Sequence, residues 1–486
     1  MPQSLAPFCR ILLAALVVLL APVGAAFAQK PDADLEDELP DGSELLDLSD
    51  ARYAGDLAEI RKRGMLRVLV APTRTDFQLV RGEVRGFEAE LAHEFARFLN
   101  RERKRGQPQI RVLFVPLAFE DLIPGLLAGR GDVIASGMTV TPTRSAEIGF
   151  SRPYLRNIDE VIVARNGSNV PRTLEDLSGR QLSVRVATSY YEHLQALNRR
   201  FVAEGRAPIK LVPLDPVLAD EDKLEMVSAG IFDITVVDSH LAALWTRVLP
   251  NIATTNVKIA RGGAIAWGFR PQDKALRGAA DAFFAKRQKA KPANDAQLLS
   301  QYFQSVRSLS NPLAGDERAK LERLSSYFRN HADTHGFDWM LMAAQGFQES
   351  RLDQQARSPV GAIGIMQLMA PTAAEIGFPD VGEEETNVAA GIAYMARIRD
   401  RYFNDPEIEP SQRILFAIAA YNAGPNRIQR LRARARTQGL DPNRWFGNVE
   451  RIVQQSVGDE TVTYVANIYR FFHAYATFTD PLLGQR

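Results

Sequence analysis

One carboxylate, Glu349, closes the apolar segment "DWMLMAAQGFQES" and is followed by the Ser- and Gly-punctuated stretch "RLDQQARSPVGAIGIMQL". Glycoside hydrolysis usually takes two carboxyl groups, one to protonate the leaving oxygen and one to act as nucleophile or base. A lone acid in this position therefore asks for another mechanism. Asp338 is suited to cap a buried helix whose far end would carry Glu349 into a cleft. Apolar surroundings solvate the charged form poorly, so such an acid stays protonated near neutral pH and can donate to a glycosidic oxygen.

The chain around this acid has 486 residues, more than one hydrophobic core normally organises, so two or three domains are expected. Its 46% hydrophobic and 24% charged residues fit a globular protein, and a formal charge of +1 gives no sign of a nucleic-acid partner. Arg10 precedes the apolar run "ILLAALVVLLAPVGAAFA", which ends in the small-x-small pattern Ala26-Phe27-Ala28. Residues 1–28 read as a secretory signal peptide, with an uncleaved anchor as the alternative if the small-residue tail is counted. Cys9, the single cysteine, lies ahead of that run, so cleavage leaves no thiol for disulfides, metal binding or nucleophilic attack. Residues 31–50 hold nine acids and no bases, and the whole of 29–56 is expected to be an acidic disordered lead or, alternatively, a docking tail.

From residue 64 short β-branched runs alternate with helical ones: 66–72, 110–117, 132–138, 159–166, 181–187, 209–215, 233–239 and 264–269. The alternation predicts an α/β domain with largely parallel sheets over 57–305. Leu91, Phe95 and Phe98 share one helical face. The basic stretch 286–298, broken by Pro292 and Asn294, predicts a helix end or hinge. Beyond residue 316 strand signals nearly vanish, and helices are expected at 316–334, 338–349, 386–403, 411–422, 425–437 and 460–476, within a mostly α domain spanning 306–486.

The segments "GFEAELAHEFARFL", "FEDLIPGLLAGRGDVIASGMTVTPTRSAEIGFSRPY" and "LEDLSGRQLSVRVATSYYEHL" resemble the family-3 extracellular solute-binding proteins, over roughly 64–305. The resemblance implies a two-lobed α/β domain of the type II periplasmic-binding-protein kind, with the chain crossing between lobes near Pro153 and returning near Gly262. It further implies that Arg144 grips the α-carboxylate of an amino acid with its guanidinium fork and that Asp238 pairs with the α-ammonium. Thr139, Ser189 and Tyr190, with Thr188, would offer hydroxyl and backbone donors, and Phe77 an aromatic platform. Read without the family, Arg144 is a surface arginine and Asp238 a helix N-cap. The loop "PTRTDFQLVRGEVRG" departs from the usual aromatic-rich ligand loop, so the ligand is open between an amino acid and a muropeptide. The "RGD" at 130–132 sits directly before an apolar strand and is assigned a structural role in place of adhesion.

Four ordered blocks, 337–377, "NVAAGIAYMARIRDRY", "AIAAYNAGPNRI" and "ETVTYVANIYRFF", resemble the family-1 lytic transglycosylases of the soluble-lytic-transglycosylase (SLT) type. The implied fold is lysozyme-like and the implied partner is the glycan strand of peptidoglycan. Glu349 matches the family's sole general acid and base. Ser350, Ser358, Gln367, Tyr421, Asn422, Glu460 and Tyr464 match its substrate-binding blocks, and Gly361 and Gly364 are expected where a sugar can approach backbone closely. Tyr421 and Tyr464 could equally be core tyrosines. His331 and His335 have i,i+4 spacing but no "HExxH" glutamate or third ligand, so no metal or cofactor is expected.

Three activities remain open at the level of sequence. One is a transglycosylase whose receptor-like domain positions or regulates it, in the periplasm and peripheral to the outer membrane. Another is a lysozyme-like hydrolase in which Asp353 or Glu460 positions water. The last is a ligand receptor carrying an inactive SLT domain.

Overall fold

The computed structural model describes residues 54–80, 83–249, 251–290, 311–313 and 315–482. The expected signal peptide, the acidic lead up to residue 53 and the hinge from residue 291 lie outside these residues. Among the described residues no helix is long and apolar enough to cross a membrane.

The first lobe is built on β1 (Met65–Val70), which is buried almost throughout because neighbours cover both of its faces. It runs parallel to β2 (Arg111–Pro116) on one side and β3 (Val133–Ile134) on the other. β4 (Gly149–Phe150) and a late strand, Gly268–Phe269, complete a five-stranded mixed sheet. Helix α1 (Phe87–Asn100) lays Phe87, Leu91 and Phe95 against that sheet, while Phe98 is only partly buried. At its start Gly86 has φ +132°, and a Cβ there would lie 2.1 Å from the Asp76 carbonyl oxygen, so only glycine lets the chain pass this close to the loop carrying Asp76 and Phe77.

Beyond α2 (Pro142–Glu147), the chain enters the second lobe through the eleven-residue β5 (Leu155–Arg165). There β6 (Gln181–Val184) leads into α3 (Ser189–Ala203), β7 (Lys210–Pro213), α4 (Asp220–Ser228) and β8 (Ile234–Asp238). The exit strand β9 (Ile252–Ile265) and β8 both pair antiparallel with β5. This corrects the expectation of largely parallel sheets for the second lobe, where among the described residues only β6 and β7 pair in parallel. The reason is topological: β5 brings the chain in and β9 takes it out. The return lies beyond Gly262, which is still inside β9, and the two crossings are joined by Ser151 N–H to Trp267 O at 2.9 Å and Tyr154 N–H to Ile265 O at 3.1 Å. Most of β9 escaped the strand pattern because its pairing with β5 is interrupted by four register shifts, which spoil the period-two alternation.

After α5 (Lys274–Ala290) the remaining domain is helical: α6 (Gly315–His335), α7 (Trp339–Ser350), α8 (Glu384–Tyr402), α9 (Pro410–Ala423), α10 (Pro425–Thr437), α11 (Glu450–Val457) and α12 (Asp459–Leu482). The seven-residue run Leu341–Phe347 of α7 is buried without interruption, which makes this helix the axis of the domain. α12 packs along it, with Phe471 edge-on to Phe347 at 4.8 Å between ring centroids. The same helix also reaches the first domain. The Tyr469 hydroxyl donates to Asp215 Oδ2 at 2.5 Å, Arg470 pairs with Asp222 at 2.5 Å, and Ala474 joins the first domain's core.

Candidate active site and ligand cleft

Glu349 occupies the last turn of α7, whose first turn is capped by the Asp338 side chain accepting Met340 N–H at 2.8 Å. Glu349 is 3% exposed, and burial pushes its pKa up to about 8. One contact works the other way: the Tyr464 hydroxyl, delivered by α12, donates to Glu349 Oε1 and favours the charged form. Gln345, one turn earlier and fully buried, holds its Nε2 3.5 Å from the same hydroxyl. The acid is therefore protonated at neutral pH and has a fixed donor ready to stabilise it once its proton has gone.

The chain leaves α7 abruptly. Arg351 and Leu352 have φ of +56° and +58°, a left-handed pair that non-glycine residues seldom adopt. Ser350 holds this corner, with Oγ 2.9 Å from Ile365 O and accepting Asp353 N–H at 3.1 Å. Ser358 closes a tight turn by accepting Ala362 N–H at 2.9 Å. Gln367, at φ +46°, donates through Nε2 to Gly364 O at 2.8 Å and leaves a buried Oε1 without a partner. Tyr421 donates to Met366 O at 2.8 Å, and burial together with the Glu349 charge keeps its hydroxyl protonated. Asn422 accepts from the Thr461 hydroxyl at 2.8 Å, and its Nδ2 is buried and unpaired. Gly364 answers a need different from sugar approach: a Cβ there would meet Asn387 Nδ2 at 2.5 Å and Gln354 Oε1 at 2.6 Å, both protein atoms.

In the first domain, Phe77 packs on Phe114 with ring centroids 5.2 Å apart. Arg144, 6% exposed, donates to Thr139 O at 2.7 Å and Ala187 O at 3.0 Å and makes no ion pair among the described residues. Thr188 is the N-cap of α3, but its hydroxyl donates to Arg185 O at 2.7 Å and accepts no N–H from the helix. Ser189 and Tyr190 form the first turn, and the Tyr190 hydroxyl donates to Asp220 at 3.0 Å while accepting Asp238 N–H at 3.1 Å. Asp238 stands at the N-cap of the short helix Ser239–Trp245 without capping it. It is 4% exposed, its Oδ1 has no hydrogen-bond partner, and burial, then the charges of Asp220 and Glu160, push its pKa well up.

One continuous cavity of about 3310 Å³ brings Phe77, Thr139, Arg144, Ser189, Tyr190 and Asp238 together at one end and Glu349, Ser350, Glu460 and Tyr464 at the other. Ser358, Gln367, Tyr421 and Asn422 are not part of its lining. Gln345 and Asp76 were not singled out from sequence. The i,i+4 spacing of Gln345 and Glu349 on one helix was the available signal for the first. For Asp76 it was an acid beside Phe77 in the loop that departs from the family pattern.

Residues 66–305 match the model of the bacterial extracellular solute-binding proteins, family 3, and residues 326–443 match the transglycosylase SLT domain. The structure of holo ArgBP from T. maritima is 27% identical and aligns with 51% of this chain and 100% of its own, at a TM-score of 0.39. The first domain has the type II periplasmic-binding-protein-like fold and the second is the helical SLT domain. Across both domains, a membrane-bound lytic murein transglycosylase F of Ectopseudomonas mendocina is 29% identical over 454 residues, 88% of this chain and 87% of the relative. The protein of the same name from Desulfosudis oleivorans is 33% identical over 393 residues, 80% of this chain and 82% of the relative. A likeness that runs through the cleft domain and the domain carrying Glu349 alike means that the chain belongs to the membrane-bound lytic murein transglycosylase F family.

Proposed function

We propose that this protein cleaves the β-1,4 bond between N-acetylmuramic acid and N-acetylglucosamine of peptidoglycan and leaves 1,6-anhydromuramoyl ends, with Glu349 as sole general acid and base. The observation that carries this reading is a buried acid whose one hydrogen-bond partner among the described residues is the hydroxyl of Tyr464, with burial pushing its pKa up to about 8. Glu349 gives its proton to the glycosidic oxygen as the C1–O bond breaks, and the substrate's acetamido group stabilises the oxocarbenium-like C1. The resulting carboxylate, held by Tyr464, takes the proton of the muramoyl 6-hydroxyl, which attacks C1 of the same ring. No water is consumed and the acid is regenerated. An intramolecular nucleophile has a high effective concentration, so a second carboxylate is not required.

Asp353, a water-positioning candidate in a hydrolase, is exposed and uses Oδ1 to accept Gln355 N–H at 2.8 Å. Glu460 does line the cavity and could position water. The decisive experiment is mass spectrometry of digested peptidoglycan in heavy-oxygen water. Anhydro ends without label are expected, whereas labelled reducing ends would replace this reading with hydrolysis.

In the same proposal the first domain binds an amino acid or muropeptide through Arg144 and Asp238 and positions or regulates the muralytic domain. Contacts of α12 support such coupling, since this helix touches Glu349 through Tyr464 and the first domain through Tyr469 and Arg470. Export accords with the apolar N-terminal run, and the same proposal places the exported enzyme in the periplasm, peripheral to the outer membrane.

Tyr464→Phe provides a pH test. Glu349 acts first as an acid, so activity should hold at neutral pH and fall as pH rises through about 8. Removing the hydroxyl removes the contact that lowers this pKa, so the alkaline limb should move up by about one pH unit while the rate drops roughly tenfold. A limb that moves down, or stays in place, would show that Tyr464 does not stabilise the carboxylate.

A further inference from the structure

The ion pairs of the first domain's cleft leave an unequal remainder. In the second lobe Asp220 is matched by Lys223 at 2.8 Å and Arg185 at 3.9 Å. Arg144 makes no ion pair among the described residues, and Asp238 Oδ1 is buried, unpartnered and part of the cavity lining. These two groups complement the carboxylate and ammonium of an α-amino acid.

Asp76 is a third uncompensated group, reached from the first lobe. Its backbone is pinned, with the carbonyl accepting Glu88 N–H at 3.1 Å, and its N–H donates to Thr73 Oγ1 at 2.9 Å. The carboxyl group borders the cavity 3.1 Å from where a Cβ on Gly137 would stand, and no ion pair with it occurs among the described residues. Burial and then the negative charges of Glu88, Glu221, Asp220 and Asp238 push its pKa well up, so an entering cation is the event that would let it ionise. The nearby Arg74 is already committed to Asp222 and Glu225. Glu88 is satisfied by Gly137 N–H and Trp267 Nε1 at 2.8 Å each and by Tyr154, and Glu221 accepts from Thr75 N at 3.0 Å and Thr75 Oγ1 at 2.6 Å. His240 is held neutral, its pKa lowered to about 4 by burial.

We propose that the cleft selects an α-amino acid with a second ammonium group on its side chain, received by Asp76 while Arg144 and Asp238 hold the α-groups. The proposal rests on the reading of this cleft as an amino-acid site and names its ligand class. Calorimetry on the full chain with L-lysine and L-norleucine tests it, because the two differ by the side-chain amine. Lysine should bind about 10- to 100-fold more tightly, the worth of one hydrogen bond to a charged group. In Asp76→Asn the lysine-to-norleucine ratio should collapse toward one. Equal affinities in the parent protein, or a ratio unchanged in Asp76→Asn, overturn the selection by Asp76 but leave the amino-acid site standing. If neither compound binds, both readings fall.

Discussion

Glu349→Gln should reduce the release of soluble fragments from peptidoglycan by roughly a thousandfold or more, because one side chain is asked both to give a proton and to take one back. Glutamine keeps the size of the side chain and an oxygen that can accept from Tyr464, so the helix end should be undisturbed. The variant's stability relative to the parent should even rise toward alkaline pH. The parent's raised pKa means that the folded state binds more protons than the unfolded one between the ordinary value of 4.5 and about 8. Its stability therefore declines across that window, a loss that the variant lacks. Thermal unfolding at pH 7 and 9 reads this sign directly, alongside the rate. A variant that retains activity within tenfold of the parent would remove Glu349 from the role of acid.

How much of this was legible beforehand differs between the two domains. All eight strand runs read from sequence contain or overlap a strand, because a buried strand and a turn each leave a local signature. The six helices expected in the second domain were read to within a few residues except at the C-terminal end of α12, which extends to Leu482, whereas the short helices Ala370–Glu375 and Glu450–Val457 were missed. Long-range geometry was not legible. The 115-residue step that brings Tyr464 to Glu349 is set by the packing of α12 on α7, and periodicity cannot report it. The left-handed Arg351, Leu352 and Gln367 are held by tertiary contacts against their own preference, so no residue type announced them. Gly364 was read as room for a sugar, whereas its missing side chain makes room for Asn387 and Gln354. A sequence marks where a side chain is absent without saying what fills the space.

Asp132→Ala should destabilise the first domain by about 3–5 kcal/mol, because it leaves the buried guanidinium of Arg67 without its anion. The "RGD" that contains this residue is not an exposed loop: Asp132 is 0% exposed. Its Oδ1 accepts from Arg67 Nη2 at 2.9 Å, its Oδ2 accepts Arg67 N–H at 2.8 Å and a contact from Arg63, and Arg270 lies 3.6 Å away. Arg67 is 0% exposed, so it cannot recover its lost partner from solvent without opening the sheet, whereas Arg270 keeps its pair with Asp273 at 2.7 Å. An arginine inside the continuous apolar run of β1 is tolerable only because the chain returns an acid to it from the start of β3. The pair Arg61–Glu102 offers the contrast, since its side chains are 31% and 69% exposed and Glu102→Ala should change stability by no more than about 0.5 kcal/mol. Urea unfolding followed by tryptophan fluorescence compares the two variants, with Trp245 and Trp267 both buried in the first domain as reporters. If Asp132→Ala costs no more than Glu102→Ala, Arg67 must find another acceptor, and the structural reading of "RGD" loses its basis.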